Sequence, residues 1–372
     1  MSRTPKVAFI SAMAGAPWGG SEELWSLAAL RMKQQGMDVF VNVSRWREIP
    51  ERLKVLQQEG CQLTRRPLGF SFKDQLLEKI VGRSAYRWLD EIRPDLVVIS
   101  QGSNTGDYPW MEECSRRKIR FVTLSNCAAS DFWPSDAEVA RAVQVYREAL
   151  ACYFVCKANL ELTELQLATP LRNAKIVRNP FLVSYDANPE WPRNGSTKQL
   201  ACLARMEPKA KGQDLLLEVL RQDKWRRRPI EVTLFGEGRN AESLKALCKM
   251  YRIEQVHFGG FVTDIESVWA SHHALILPSR FEGLPLVIVE AMLCHRPCIV
   301  TDVGGNTELV EDNQTGFIAM APKTDCIDEA MERAWQRRED WQLIGRRAGE
   351  RVRELVPPDP VGEFVKELEA FL

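Results

Sequence analysis

The chain alternates short, unbroken apolar runs with longer segments in which apolar residues recur every three or four positions. Lys6 to Ser11 is an apolar run of β type. A loop from Ala12 to Gly20 follows, then an amphipathic helix, Ser21 to Gln35, closed by Gly36. Further runs lie at Asp38 to Val43, Leu96 to Ser100, Arg120 to Leu124, Ala151 to Val155 and Lys175 to Val177. Runs without polar alternation suit strands covered on both faces, and their alternation with helices predicts a parallel sheet between helical layers.

From Asn179 to Ser196 the texture changes to Asn-Pro, Trp-Pro and Asn-Gly pairs, a turn-rich stretch that reads as an interdomain linker. The alternation then restarts. Strands are expected at Gln199 to Ala204, Ile230 to Phe235, Gln255 to Phe258, Ala274 to Leu277 and Cys298 to Thr301. Helices are expected near Gln213 to Leu220, Asn240 to Met250, Ile265 to Ala270 and Leu286 to Leu293, and a last helix, Val361 to Leu372, follows Pro357 to Pro360. The expected architecture is α/β: two Rossmann-like, doubly wound domains, residues 1–182 and 183–356, facing a central cleft, with a return helix at 357–372 packing on the first. Open parallel sheets bind ligands outside the carboxyl ends of their strands, so the chemistry is sought in the strand-to-helix loops.

Composition narrows the class. A chain of 372 residues, 45% apolar and 27% charged, has the size for two domains and the balance of a soluble globular protein. No apolar run reaches the roughly 18 residues of a spanning helix, and the start does not read as a secretory leader, which places the protein in the cytoplasm. The ten cysteines are scattered through apolar segments. Cys152/Cys156 and Cys294/Cys298 lack a second pair at zinc-finger distance, so they read as reduced core thiols. Lys and Arg total 50, as do Asp and Glu, so no global field draws nucleic acid. Residues 1–182 carry +5 and residues 183–372 carry −5. That split suits an anionic acceptor or peripheral contact with the inner face of a membrane, and is also small enough to mean nothing.

The strongest chemical signal is Ser279-Arg280-Phe281-Glu282-Gly283-Leu284-Pro285, followed by the apolar helix that contains Glu290. Pro285 suits a helix's first turn, and free N–H groups around Gly283 to Leu286 would form an anion site with the helix dipole. A carboxylate on an apolar helix needs a partner, which for Glu290 is a hydroxyl pair such as a ribose or a core arginine. Glu282, before the helix, is a ligand contact or a solvated acid. The stretch resembles the E-x7-E signature of the retaining glycosyltransferase family four, which has the GT-B fold. The resemblance implies that Glu282 contacts the donor sugar and Glu290 the ribose hydroxyls, while Phe281, Gly283, Leu284 and Pro285 line sugar and diphosphate.

Three other segments agree. Arg205 and Lys211, six apart after a strand, resemble the family's cationic clamp on the donor diphosphate, with Lys209 a nearby competitor and a surface pair the bland reading. Two fixed cations would stabilise charge on the leaving diphosphate, which accounts for the lack of an Asp-x-Asp metal motif. Trp18-Gly19-Gly20-Ser21-Glu22 resembles the family's Gly-Gly-x-Glu loop: Gly19 and Gly20 would approach a phosphate and Ser21 would cap the helix. Gly236 and Phe261, in Phe235-Gly236-Glu237-Gly238 and Phe258-Gly259-Gly260-Phe261, resemble segments beside the nucleotide base, although tight turns explain them equally.

One departure stands out. The family places a histidine in the first domain near the donor sugar, whereas His257, His272, His273 and His295 all lie in the second half. The corresponding loops offer Gln101 and Asn126, which would hydrogen-bond a sugar hydroxyl without supplying positive charge. The stretch from Arg65 to Lys73, with a helix to Trp88, mixes bases and aromatics and suits a membrane surface, an acceptor or a solvated helix. The expected activity is metal-independent and needs no cofactor: retaining transfer of a hexosyl unit from a UDP- or GDP-type sugar to a hydroxyl of a glycan, lipid or small molecule, as in polysaccharide or glycolipid biosynthesis. The alternatives are a nucleotide-sugar-binding protein without catalysis and a sugar-nucleotide epimerase on the same scaffold. The oligomeric state is not encoded in any of these motifs.

Overall fold

The computed structural model describes residues 3–13, 17–67, 86–106, 108–193 and 195–372. Two compact units emerge, one formed by Met1–Pro180 with Asp359–Leu372 and the other by Phe181–Pro358. Most of the stretch from Arg65 to Trp88 expected to meet a membrane or an acceptor lies outside the described residues.

The first unit is built on seven parallel strands: β1 (Lys6–Ser11), β2 (Asp38–Ser44), β3 (Gln62–Arg66), β4 (Leu96–Gln101), β5 (Phe121–Ser125), β6 (Cys152–Phe154) and β7 (Ala174–Ile176). Their order is β3-β2-β1-β4-β5-β6-β7, so the chain winds outward in both directions from the β1/β4 pair. β1 and β4 are buried along almost their whole length, as their unbroken apolar runs require. β3 was not expected from the pattern. Its sequence, QLTRR, is half exposed because it forms the sheet's edge, where burial on two faces is not demanded.

The last helix runs from Pro360 to Glu369 and starts one residue earlier than the sequence suggests, because Asp359 caps it. The Asp359 carboxylate accepts from Gly362 N–H at 2.9 Å and from Arg31 at 2.5 Å. Phe364 meets Tyr153 edge-on, with ring centroids 5.1 Å apart. These contacts attach the helix to the first unit.

The second unit holds six parallel strands: β8 (Lys198–Leu203), β9 (Ile230–Phe235), β10 (Val256–Gly260), β11 (Ala274–Leu277), β12 (Cys298–Thr301) and β13 (Gly316–Ala319). The order β10-β9-β8-β11-β12-β13 is that of a doubly wound nucleotide-binding sheet. Its core gathers Leu200, Leu217, Trp225, Val232, Ile276, Phe317 and Trp341 between sheet and helices.

The turn-rich stretch expected as a linker belongs mostly to this second unit. Arg296, 1% exposed, donates to the backbone carbonyls of Trp269, His272, Cys294, Pro189 and Glu190, the last at 2.7 Å. Its guanidinium lies 5.0 Å from the centroid of the Trp191 ring. Proline offers no backbone donor, and Arg296 supplies donors to the carbonyls of Pro189 and Glu190 in this segment. Burial pulls the Arg296 guanidinium down to about 10, so it stays charged near neutrality. Replacing Arg296 with Met should leave several buried carbonyls unsatisfied and cost roughly 3 kcal/mol. Urea unfolding checks this: a midpoint equal to that of the parent protein would contradict it.

Candidate functional site

In the second unit β8 and β11 are neighbours, and the chain leaves them in opposite directions, to β9 on one side and β12 on the other. Such a switch point opens a crevice at the carboxyl ends of the two strands. The loops there, 204–212 and 278–285, are the two strongest motifs of the sequence.

These loops are locked together by backbone. Gly212 has φ 63°, and a Cβ on it would lie 1.9 Å from the Pro278 carbonyl oxygen. Arg280 N–H donates to Ala210 O at 2.8 Å, and the Arg280 guanidinium donates to Pro208 O and grips Asp214 through two bonds of 2.7 Å. The loop after β12 joins them. Thr301 Oγ1 donates to Ser279 O at 2.6 Å, Gly305 N–H donates to Gly283 O at 2.8 Å, and a Cβ on Gly304 would sit 2.2 Å from Glu282 O.

The junction fixes one ion pair. Lys211 Nζ lies 2.6 Å from Glu282 Oε1, and Ser279 Oγ donates to the same oxygen at 2.6 Å. The Glu282 side chain is 7% exposed and that of Lys211 18%. Glu282 Oε2 takes no hydrogen bond from a described residue. The carboxylate is therefore held by one oxygen and open at the other.

Beside the pair starts the helix Leu286–Leu293, whose first N–H groups have no acceptor within the helix. Pro285 stands at its N-cap with φ −65° and ψ 123°, one place before the first turn it was expected to open. Its extended ψ turns the chain into the helix, and its carbonyl accepts from Ile288 N–H at 3.2 Å. Gly283 and Phe281 are partly exposed, while Leu284 and Pro285 are buried. Glu290, 4% exposed, has the partner its burial requires: Oε1 accepts from Leu182 N–H at 3.0 Å.

Arg205 does not join the ion pair. It is exposed and sits 3.4 Å from Glu207, which Arg239 also holds at 2.7 Å. The rival lysine, Lys209, is exposed as well. Gly236 is required by the backbone: φ is 115°, and a Cβ would lie 2.3 Å from Ala204 O. Phe261 is 69% exposed.

In the first unit, Gly19 is extended and Gly20 opens a short 3-10 turn, Gly20–Glu22, before the helix Glu23–Gln34. Ser21 does not cap that helix. It lies inside the turn, and its buried Oγ bonds no described residue. Gln101 and Asn126, expected to reach a sugar, are turned into the protein. Gln101 Oε1 accepts from Ser125 Oγ at 3.1 Å and Tyr146 OH at 3.3 Å, and Asn126 Nδ2 donates to Ser100 Oγ and Gln101 O, both at 3.1 Å. Buried amides are recruited by the nearest polar groups, and these two join β4 to β5.

Sequence reasoning gave Glu22 no role of its own, yet it is the most perturbed acid among the described residues of the first unit. Ser11 Oγ and Trp25 Nε1 donate to its two oxygens. Burial pushes its carboxyl up to about 7, against the pull of Trp25, Ser11 and Arg66. The available signal was the resemblance to the Gly-Gly-x-Glu loop, in which Glu22 is the glutamate.

All ten cysteines are free, and burial raises several, Cys202 and Cys294 to about 12. Among the described residues no three His, Cys, Asp or Glu side chains gather as a metal-holding group, and no helix is long and apolar enough to cross a membrane.

Residues 197–337, which contain both loops of the junction, match the family described as Glycosyl transferases group 1. The second unit carries a group 1 glycosyl transferase domain. Curated relatives match part of the chain. Alpha-D-kanosaminyltransferase of Streptomyces kanamyceticus is 30% identical over 126 residues, 33% of each chain. N-acetyl-alpha-D-glucosaminyl L-malate synthase of Bacillus anthracis is 34% identical over 128 residues, 34% of this chain and 32% of its own. The chain thus spans about a third of the length of the curated relatives it matches.

Solved structures extend the likeness from the group 1 domain to the whole fold. HepE of Anabaena in complex with UDP superposes with a TM-score of 0.75 at 18% identity, over 99% of this chain and 100% of that one. A glycosyltransferase from Rickettsia africae gives 0.77 at 14%, over 100% and 98%. Both Rossmann-like sheets therefore follow the GT-B architecture of glycosyltransferase structures.

Glu22 sets a pH dependence of stability. Its folded value near 7 lies above the ordinary 4.5, so the folded chain holds this proton more tightly than the unfolded one. The contribution is present below about pH 4.5 and is lost as pH rises through 7, an effect on the order of 3 kcal/mol by pH 8. Glu22→Gln should remove that slope, so its stability relative to the parent protein rises between pH 5 and pH 8. Parallel urea curves for both proteins at the two pH values would contradict this if their difference stayed constant.

Proposed function

We propose that the chain is a retaining glycosyltransferase that moves a hexosyl unit from a UDP- or GDP-type sugar to a hydroxyl acceptor. The observation that carries this reading is the Lys211–Glu282 pair at the β8/β11 switch point, beside an open helix start. The family of the domain and the names of its relatives, which include a kanosaminyltransferase and a GDP-mannose-dependent mannosyltransferase of Mycobacterium tuberculosis, support it.

In this reading the helix start and Lys211 receive the donor diphosphate. The anomeric carbon–oxygen bond to that diphosphate breaks, the acceptor oxygen bonds the same carbon, and the acceptor proton passes to a leaving phosphate oxygen. Negative charge grows on the diphosphate as the bond breaks, and fixed positive charge stabilises that state more than the ground state. Lys211 supplies such charge from a position already set by Glu282, and Arg205 adds to it from the exposed rim, so no divalent ion or further cofactor is needed. The open oxygen of Glu282 accepts a sugar hydroxyl, and Glu290 accepts the ribose hydroxyls. Gly19 and Gly20, in a loop that resembles the family's Gly-Gly-x-Glu segment, would offer backbone N–H groups to a phosphate. The free thiols fit a reducing cytoplasm, where nucleotide sugars are made. Peripheral contact with the inner face of a membrane belongs to the same reading where the acceptor is a lipid.

The burial of Gln101 and Asn126 favours a second reading, a nucleotide-sugar-binding protein without transfer. Slow hydrolysis of the donor separates the two, since only the enzyme releases free sugar. Lys211→Ala should lower that rate about 100-fold, as the loss of one transition-state donor does, and Arg205→Ala by less. Glu290→Ala should weaken uridine or guanosine diphosphate about tenfold and leave pyrophosphate unchanged. Equal rates for the parent protein and Lys211→Ala, or equal losses for nucleotide and pyrophosphate, would overturn these assignments.

A further inference from the structure

The loop after β5 presents two large aromatic side chains to solvent. Phe132 is 50% exposed and Trp133 58%, while Pro134 beside them is buried. Neither ring contacts another aromatic ring among the described residues. Burying a side chain of this size is worth about 2 kcal/mol or more, so two adjacent exposed rings forgo a stabilisation that a polar pair would not miss.

The rings are held outward by a braced loop. Gln166 Nε2 donates to Ala129 O at 3.0 Å and to Phe132 O at 3.4 Å, and Phe132 N–H donates to Ala129 O at 3.1 Å. Upstream, Asn104 N–H donates to Cys127 O at 2.9 Å. Downstream, Ser135 and Glu138 form a capping box that starts the helix Asp136–Glu148. The backbone is thus anchored on both sides of the exposed pair, in the loop after the interior strand β5 of the first sheet, at the strand end where open parallel sheets bind ligands.

Asp131 and Asp136 flank the rings in sequence. Both are exposed, and neither has a hydrogen-bond or ion-pair partner among the described residues. Exposed aromatic rings and exposed carboxylates within six consecutive residues match the two chemistries of a pyranose, whose C–H face is apolar and whose hydroxyls donate. An anionic membrane surface would be repelled by the same carboxylates. Two side chains also give far less area than the roughly 800 Å² per partner of a stable protein interface.

We propose that Phe132 and Trp133 form a stacking platform for a neutral sugar ring of the acceptor, with Asp131 and Asp136 accepting its hydroxyls. This rests on the transferase reading and names the class of acceptor, a saccharide.

The test labels the full chain with 5-fluorotryptophan and assigns the Trp133 resonance with Trp133→Phe. The probes are cellotriose, maltotriose and chitotriose, and, separately, phosphatidylglycerol vesicles. The Trp133 signal should shift saturably with at least one trisaccharide and stay fixed with vesicles. Phe132→Ser, whose side chain is exposed and whose fold should be intact, should weaken that binding about fivefold. No shift with any of the three sugars, or a shift with vesicles, overturns the platform. Uridine and guanosine diphosphates are titrated into the same sample. A response to them without a sugar shift sinks the platform alone. A sugar shift without a nucleotide response overturns its assignment to an acceptor and, with it, the transfer reading.

Discussion

The Lys211–Glu282 ion pair is the constraint on which the site is built. Each partner is almost removed from water, and a charge in that position is costly unless its counter-charge is close and fixed. The fold meets this by welding three strand-to-helix loops into one piece. Gly212 lets the loop after β8 touch Pro278, Arg280 clamps Asp214 across the same seam, and Gly304 lets the loop after β12 close on Glu282. A shift in any of these would separate the charges, so the backbone packing and the electrostatics enforce each other. The result is a lysine set in advance beside a helix start, with little reorganisation left when an anion arrives.

Much of this was legible in the sequence because it depends on local patterns. Unbroken apolar runs declared the parallel strands, and the spacing from Arg205 to Glu290 marked the loops of the second unit. What failed depends on tertiary partners. β3 lacks an apolar run because an edge strand does not need one. The Asn- and Pro-rich segment looks like a linker until Arg296, a hundred residues away, is seen to hold its carbonyls. Gln101 and Asn126 are polar residues in the right loops, but their neighbours Ser100, Ser125 and Tyr146 claim them. Arg205, grouped with Lys211 through resemblance to the family's cationic clamp, is exposed and lies by Glu207.

The two units handle buried charge differently. In the second, Lys211 and Glu282 neutralise each other, and Arg296 is spread over five backbone carbonyls. In the first, Glu22 has hydroxyl and indole donors but no ion-pair partner within salt-bridge reach among the described residues, so burial wins and its carboxyl rises toward neutrality. Glu22 closes the short turn that Gly20 opens. That turn thus ends on the described acid of the unit whose carboxyl burial raises most.

The central claim is that fixed cationic charge and a helix start hold a diphosphate without a divalent ion. Calorimetric titration of uridine and guanosine diphosphates, each in excess EDTA and again in excess magnesium, tests it directly. The account predicts that at least one nucleotide binds with the same affinity in both solutions. Binding that appears only with magnesium, or no binding of either nucleotide, would contradict it.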